Sequence, residues 1–268
     1  MDEQLRLMAV LAHPDDESLG IGGTLAKYAA AGVDTCVVTA TRGERGRYFT
    51  NERRPSDEEV GRVREAELRA ASRELGVREV ALLDYLDSEL DRADPREAVS
   101  RIVDHLRRVR PQVVVTFDPF GAYGHPDHIA ICQLTSAAVL AAADPGFRAG
   151  AAPPHRVVKL YYFVNDEPKW AAYQAAFKTL VSRVDGVERR AVAWPDWAIS
   201  ARVDTRDQWG TVWRAVRCHE TQLAIYQQLG ELSAEHHEAL WGSQTFYRAL
   251  SLVNGGREQE TDLFTGLR

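Results

Sequence analysis

The chain has 268 residues, 45% hydrophobic and 27% charged, a composition that builds a sizeable core and excludes a disordered or fibrous protein. A formal net charge of −6 removes the general attraction behind non-specific nucleic-acid or anionic-membrane binding, and no apolar stretch reaches the roughly 20 residues that span a bilayer. The opening residues carry no leader pattern, and the three cysteines, Cys36, Cys132 and Cys218, form no CxxC pair, so a reduced, soluble, cytoplasmic protein is expected, with a homo-oligomer left open.

In chain order, strand and helix signals alternate. The near-continuous apolar run Leu5 to Ala12 reads as a buried strand, residues 22–32 as a helix stopped by Gly32, and residues 33–40 as a second strand. A long polar loop follows, from Thr41 to Pro55. Ser56 and Glu59, at capping-box spacing, then open an amphipathic helix that closes at Gly76. Residues 77–83, a helix from Pro95 to Val109, residues 112–117, a helix from about His128 to Ala143, and residues 156–164 continue the alternation. This pattern predicts an α/β fold, a Rossmann-like doubly wound, mostly parallel sheet of order 3-2-1-4-5 with helices on both faces. Beyond Asn165 the rhythm changes to a hairpin signal at Asp185-Gly186 and a helical stretch from Thr205 to Gly242. The whole chain, 1–268, reads as one domain: a core over 1–164, an elaboration over 165–255 and a loosely held tail over 256–268.

Two short stretches carry the chemistry. "LAHPDDESLG" (11–20) ends the first strand, and "AYGHPDHIA" (122–130) follows the fourth. A bare His-x-x-His turns up by chance in roughly one such chain in four, whereas His-Pro-Asp-His is expected about once in a thousand. In a sheet of order 3-2-1-4 the first and fourth strands are neighbours where the winding reverses, and ligands bind beyond their carboxyl ends. His13, Asp15 and Asp16 thereby meet His125, Asp127 and His128 at one crevice. A cation among them would balance their charge, and two histidines with one carboxylate form a common catalytic zinc site.

These stretches, with "TRGERG" (41–46), "RVREAELRAASRELGV" (62–77) and, more weakly, "CHETQ" (218–222), resemble the LmbE-like superfamily of zinc-dependent N-acetylglucosaminyl deacetylases, to which PIG-L belongs. The resemblance implies His13, Asp16 and His128 as ligands of Zn2+, with Fe2+ as the alternative metal. It also implies Asp15 as general base, His125 as the group that stabilises or protonates the tetrahedral intermediate, Asp127 as the orienting partner of His125, and Tyr123 as an aid to carbonyl polarisation. Arg64 and Asp87 are implied as contacts to the sugar. Amide hydrolysis asks for the same types: a metal to activate water, a carboxylate outside the ligand set to take its proton, and donors for the oxyanion and leaving amine.

Arg42, Glu44 and Arg47, in the loop after the second strand, lie near the same rim and are candidate substrate contacts. His105, His155, His236 and His237 read as ordinary surface or helix-end residues, His219 is ambiguous, and the later tryptophans read as core. "GIGG" (20–23) lacks the G-x-G-x-x-G spacing of a dinucleotide loop. The expected activity is removal of acetyl from an amidated sugar of the N-acetylglucosamine type. Its rivals are an amidase acting on a larger acyl group or thiol conjugate, and a catalytically silent metal- or nucleotide-sugar-binding module.

Overall fold

The structure, a computed structural model, describes residues 4–48, 54–177, 181–184 and 186–268. Five parallel strands form in the expected order: β1 (Arg6–Leu11), β2 (Asp34–Thr41), β3 (Glu79–Tyr85), β4 (Val113–Thr116) and β5 (Lys159–Val164) lie as β3-β2-β1-β4-β5. Leu7 to Leu11 are fully buried, as befits a central strand covered on both faces. Helices α1 (Asp16–Ala30), α2 (Asp57–Glu74) and α3 (Pro95–Val109) cross between the early strands. A single turn, α4 (Gly121–Gly124), precedes α5 (Pro126–Ala143).

Helix α1 starts six residues before the expected Gly22, so Asp16 and Glu17 occupy its first turn, where acidic groups favour the helix dipole. The glycines of "GIGG" are packing devices: a Cβ at Gly23 would stand 2.8 Å from Thr205 Cβ and one at Gly22 3.3 Å from Val212 Cγ2.

The C-terminal part departs furthest from the sequence reading. After α6 (Glu167–Phe177), the hairpin β6 (Val181–Val184) and β7 (Val187–Arg190) forms at the expected place; Gly186 has φ +77°, while Asp185 lies outside the described residues. Between β7 and α7 (Trp209–Arg217) comes an unanticipated strand, β8 (Ala201–Asp204), and after α8 (Leu223–Gly230) and α9 (Ala234–Trp241) comes another, β9 (Ser243–Ser251). They extend the sheet antiparallel, giving β3-β2-β1-β4-β5-β9-β8.

The expected loose tail is packed. Leu263 and Phe264 are fully buried, Phe264 stacks edge-on against Tyr28 at 5.2 Å, and Glu260 pairs with the buried Lys159 at 2.6 Å. His237, expected at the surface, is buried among Trp209, Trp213 and Trp241 and donates from Nε2 to Leu229 O. Among the described residues no helix is long and apolar enough to cross a membrane.

Candidate active site

The chain leaves β1 at Leu11 and turns into α1 through His13, Pro14 and Asp15. Asp15 sits at φ 105°, ψ −24°, a conformation costing a non-glycine residue about 1–3 kcal/mol. Three contacts over-determine it. Its backbone N–H donates to Glu17 Oε2 at 3.0 Å, and Arg64 Nη2 donates to Asp15 Oδ2 at 3.2 Å and to Pro14 O at 2.6 Å. The next residue, Asp16, folds back so that Oδ2 accepts from the backbone N–H of Ala12 (3.2 Å) and His13 (2.8 Å). The adjacent aspartates therefore point apart.

Beyond the neighbouring strand β4 and the turn α4, His125 caps α5. Its Nδ1 accepts from the Asp127 backbone N–H at 3.2 Å, which leaves the ring proton of a neutral imidazole on Nε2. Pro126 starts the helix, and Asp127 and His128 occupy its first turn. His128 stacks on Phe117 at 3.9 Å between centroids, with the Tyr123 ring edge-on at 5.3 Å.

The two motifs meet as expected. His13 Nδ1 lies 3.2 Å from His128 Nε2, which lies 3.6 Å from Asp16 Oδ1; His13 Nδ1 to Asp16 Oδ2 is 3.9 Å. A tetrahedral ion with ligand bonds of 2.0–2.1 Å sets its donor atoms roughly 3.3 Å apart, a spacing that the His13–His128 and His128–Asp16 pairs approach, whereas the 3.9 Å contact of His13 is to the Asp16 oxygen that accepts the backbone N–H groups. The electrostatics call for such an ion. Burial pushes Asp16 up to about 7 despite the pull of His13, and burial together with the charge on His13 pushes His128 well down. The donor atoms of His13, His125 and His128 also lie within 4.8 Å of one another, which makes His125 a rival third ligand.

Asp127 departs from its expected role. Its carboxylate does not hold His125: Oδ2 meets His13 Nε2 at 3.0 Å and accepts from Ser88 N at 2.7 Å, and Oδ1 accepts from Leu90 N at 3.2 Å. As a first-turn residue of α5, Asp127 projects its side chain away from the capping imidazole and toward β1. Asp87, expected on the sugar, is also buried against His13, its Oδ1 3.2 Å from Nε2. Burial opposes charge on His13, but these two carboxylates outweigh it and hold the imidazole well above its ordinary value. They fix a proton on Nε2 and free Nδ1 for a metal.

Arg64 is likewise a brace. It is 4% exposed, and besides Pro14 and Asp15 it donates to Gly43 O at 2.7 Å. A Cβ at Gly43 or Gly46 would stand within 2.3 Å of its guanidinium, which explains both glycines of "TRGERG". Arg42 is committed to Glu65 (2.8 Å) and Asp84 (2.6 Å), and Glu44 accepts from the Arg42 backbone N–H. Arg47 is exposed, its carbonyl accepting from Gln222 Nε2 at 2.6 Å.

The sequence reading missed Glu17 and left His219 unassigned. Both are fully buried, and His219 Nε2 meets Glu17 Oε1 at 2.8 Å. Burial resists charging either group, but their mutual attraction prevails: Glu17 is lowered and His219 raised. Through Glu17, the "CHETQ" segment reaches the strained backbone of Asp15. Its Thr221 binds Glu67 through both backbone N–H and hydroxyl, at 2.7 Å each.

Comparison with known proteins matches this architecture. A family described as GlcNAc-PI de-N-acetylase, PIG-L, matches residues 8–139, which include both motifs. The chain is 35% identical over 305 residues to a 1D-myo-inositol 2-acetamido-2-deoxy-alpha-D-glucopyranoside deacetylase from Kineococcus radiotolerans, covering 100% of this chain and 84% of that protein. Among solved structures, a conserved protein from Thermus thermophilus is similar at a TM-score of 0.65 and 26% identity, covering 94% of this chain and 98% of that one. The N,N'-diacetylchitobiose deacetylase from Pyrococcus horikoshii shares the fold at a TM-score of 0.68 and 22% identity, covering 91% and 83%. With both motifs inside the matched residues and similarity along its whole length, the chain belongs to the PIG-L family of de-N-acetylases.

Proposed function

We propose that the protein is a zinc-dependent N-deacetylase that hydrolyses the acetamide of a small 2-acetamido-2-deoxyglucoside, with His13, Asp16 and His128 as the metal ligands. The approach of both His13 Nδ1 and Asp16 Oδ1 to His128 Nε2, beside the separately held Asp15, carries this reading. A silent binding module has no need of a strained, braced carboxylate outside the ligand set. The relatives' activity on an inositol glucosaminide points to a polyol aglycone.

A divalent ion in this position supplies Lewis-acid polarisation of the acyl carbonyl and acidification of water. Asp15, steadied by Arg64 and Glu17, takes the proton of the attacking water and returns it to the leaving amine. His125 presents its Nε2–H to the oxygen that becomes anionic. Burial, reinforced by the charges of Asp16 and Asp15, keeps the Tyr123 phenol protonated as a second donor. Asp127 and Asp87 hold His13 in its ligating tautomer.

The test is amine release from 1D-myo-inositol 2-acetamido-2-deoxy-α-D-glucopyranoside, N-acetylglucosamine and analogues with longer acyl groups, with metal content measured on the same sample. Zinc-loaded protein should release amine from the N-acetyl glucosides and lose that activity on chelation. No release from any N-acetyl sugar overturns the reading, and faster release of long acyl groups makes the protein an amidase. His128→Ala should lose the metal and His125→Ala keep it; the opposite result moves His125 into the ligand set.

A further inference from the structure

A cavity of about 640 Å³ opens beyond the end of β5, on the same rim of the sheet as the histidine cluster but lined by none of its residues. Its walls include Asp166, Lys169, Trp194, Pro195, Asp196 and Arg202. The cations here are not equivalent. Arg202 is committed to Asp166 at 2.9 Å and Asp196 at 3.1 Å. The other oxygen of Asp166 accepts from the backbone N–H of Lys169 at 3.0 Å, not from its side chain. Lys169 is only 6% exposed, yet no hydrogen bond or ion pair reaches its ammonium among the described residues. A buried charge without a partner is costly, and the space that would supply one is this cavity. Burial pushes Lys169 down to about 8, which still leaves it mostly protonated near neutral pH.

The geometry points to a ligand site in which Lys169 pairs with the carboxylate of a small organic monoanion whose flat, apolar body lies against Trp194 and Pro195. The lining carries three carboxylates, Asp166, Glu167 and Asp196, against two cations, so Lys169 is a single point of attraction in a net acidic wall; a monoanion paired with it meets less repulsion than the nearly two charges of a phosphate monoester. The wall is preformed, because Trp194 Nε1 donates to Asp118 Oδ2 at 2.6 Å and the ring packs on Tyr247 at 5.1 Å. The volume falls within the range of small-molecule sites. Asp118 also accepts from Ala122 N at 2.8 Å, so an occupant rests on the far side of the loop that carries Tyr123 and His125.

This site stands independently of the deacetylase reading, since binding is measured without turnover. The probe is benzoate, with neutral benzamide and dianionic phenyl phosphate as controls, titrated by calorimetry or ligand-observed NMR. Wild type should bind benzoate at least about tenfold more tightly than either control, and Lys169→Met should lose at least about tenfold while keeping the wild-type melting temperature. Trp194→Ala should weaken benzoate as well. If the variants do not fold, peptide mapping of acylated wild-type protein decides: benzoate should shield Lys169 but not Lys27. Equal binding by wild type and Lys169→Met, equal binding of benzamide, absence of benzoate binding, or absence of shielding each overturns the assignment.

Discussion

Strands β1 to β5 and the pair β9–β8 occupy opposite ends of one sheet, yet they are built from unlike sequences and serve the site differently. The parallel strands inside the sheet, β2, β1, β4 and β5, are buried on both faces, and the parallel set ends in the candidate site residues: His13, Asp15 and Asp16 after β1, Asp87 after the edge strand β3, and Tyr123, His125 and His128 after β4. The C-terminal elements supply no residue of the histidine cluster. They press on it from behind, with His219 on Glu17, Thr221 on Glu67, Gln222 on the Arg47 carbonyl, and β7 against the turn at Gly124, where a Cβ would lie 2.7 Å from Arg189 Cβ. The candidate reactive groups come from strand ends, and the far half of the chain adds to the restraint that Arg64, Asp87 and Asp127 already give them.

The largest effect that would sharpen this contrast lies within one dipeptide. Asp15→Asn should retain the metal, since Asp15 is outside the proposed ligand set, and lose about 10²- to 10⁴-fold in kcat, as expected on removal of a general base. Asp16→Asn should instead lose metal affinity, with activity partly restored by excess zinc. Metal analysis beside turnover separates the two. If Asp15→Asn loses the metal and Asp16→Asn keeps it, the two roles are exchanged.

A smaller effect tests the brace. His219→Ala leaves the buried Glu17 without its partner, and Glu17→Gln weakens its hold on the Asp15 backbone more conservatively. Both variants should keep the metal and KM while kcat falls about 10- to 100-fold, the range typical of groups that position a reacting residue. A folded Glu17→Gln protein with unchanged kcat would reduce the C-terminal half to a purely stabilising role.

The same contrast governs what the sequence disclosed. Parallel strands covered on both faces appear as unbroken apolar runs such as "VVVT", and both His-Pro-Asp motifs announce themselves through rare residue types at fixed spacing. Strand β8 is only "ARVD", and β9, "SQTFYRALS", follows directly on a helix with its apolar residues broken by Arg248, so neither shows the unbroken apolar run of the parallel strands. The partners of Asp127, Asp87 and Arg64 escape the sequence because a motif fixes which residues reach a rim, not which way each side chain turns once there. In Asp127 that choice depends on its place in the first turn of α5, and in Arg64 on two glycines some twenty residues earlier.

The smallest expected effect on turnover belongs to the packed tail, where stability alone should respond. Glu260 is 5% exposed and gathers Lys159, Tyr161, Asn254 and Arg248 around its carboxylate. Burial raises the cost of its charge, but the hydrogen bonds from Lys159 and Tyr161 outweigh that cost and hold its pKa below the ordinary glutamate value. A carboxyl group lowered in this way stabilises the fold at pH values above its unfolded pKa, and the contribution disappears as pH falls through the lowered, folded pKa. Glu260→Gln should therefore be less stable than wild type near neutral pH by about 3 kcal/mol, since it leaves the buried Lys159 without a counter-charge. In denaturant titrations the gap should narrow as pH drops below about 4.3, the usual glutamate value, because wild type then loses the same interaction. Turnover of the folded variant at neutral pH should match wild type. A stability gap that stays constant down to acid pH would mean that Glu260 acts through packing rather than charge, and a fall in kcat would mean that the C-terminal end of the sheet reaches the chemistry after all.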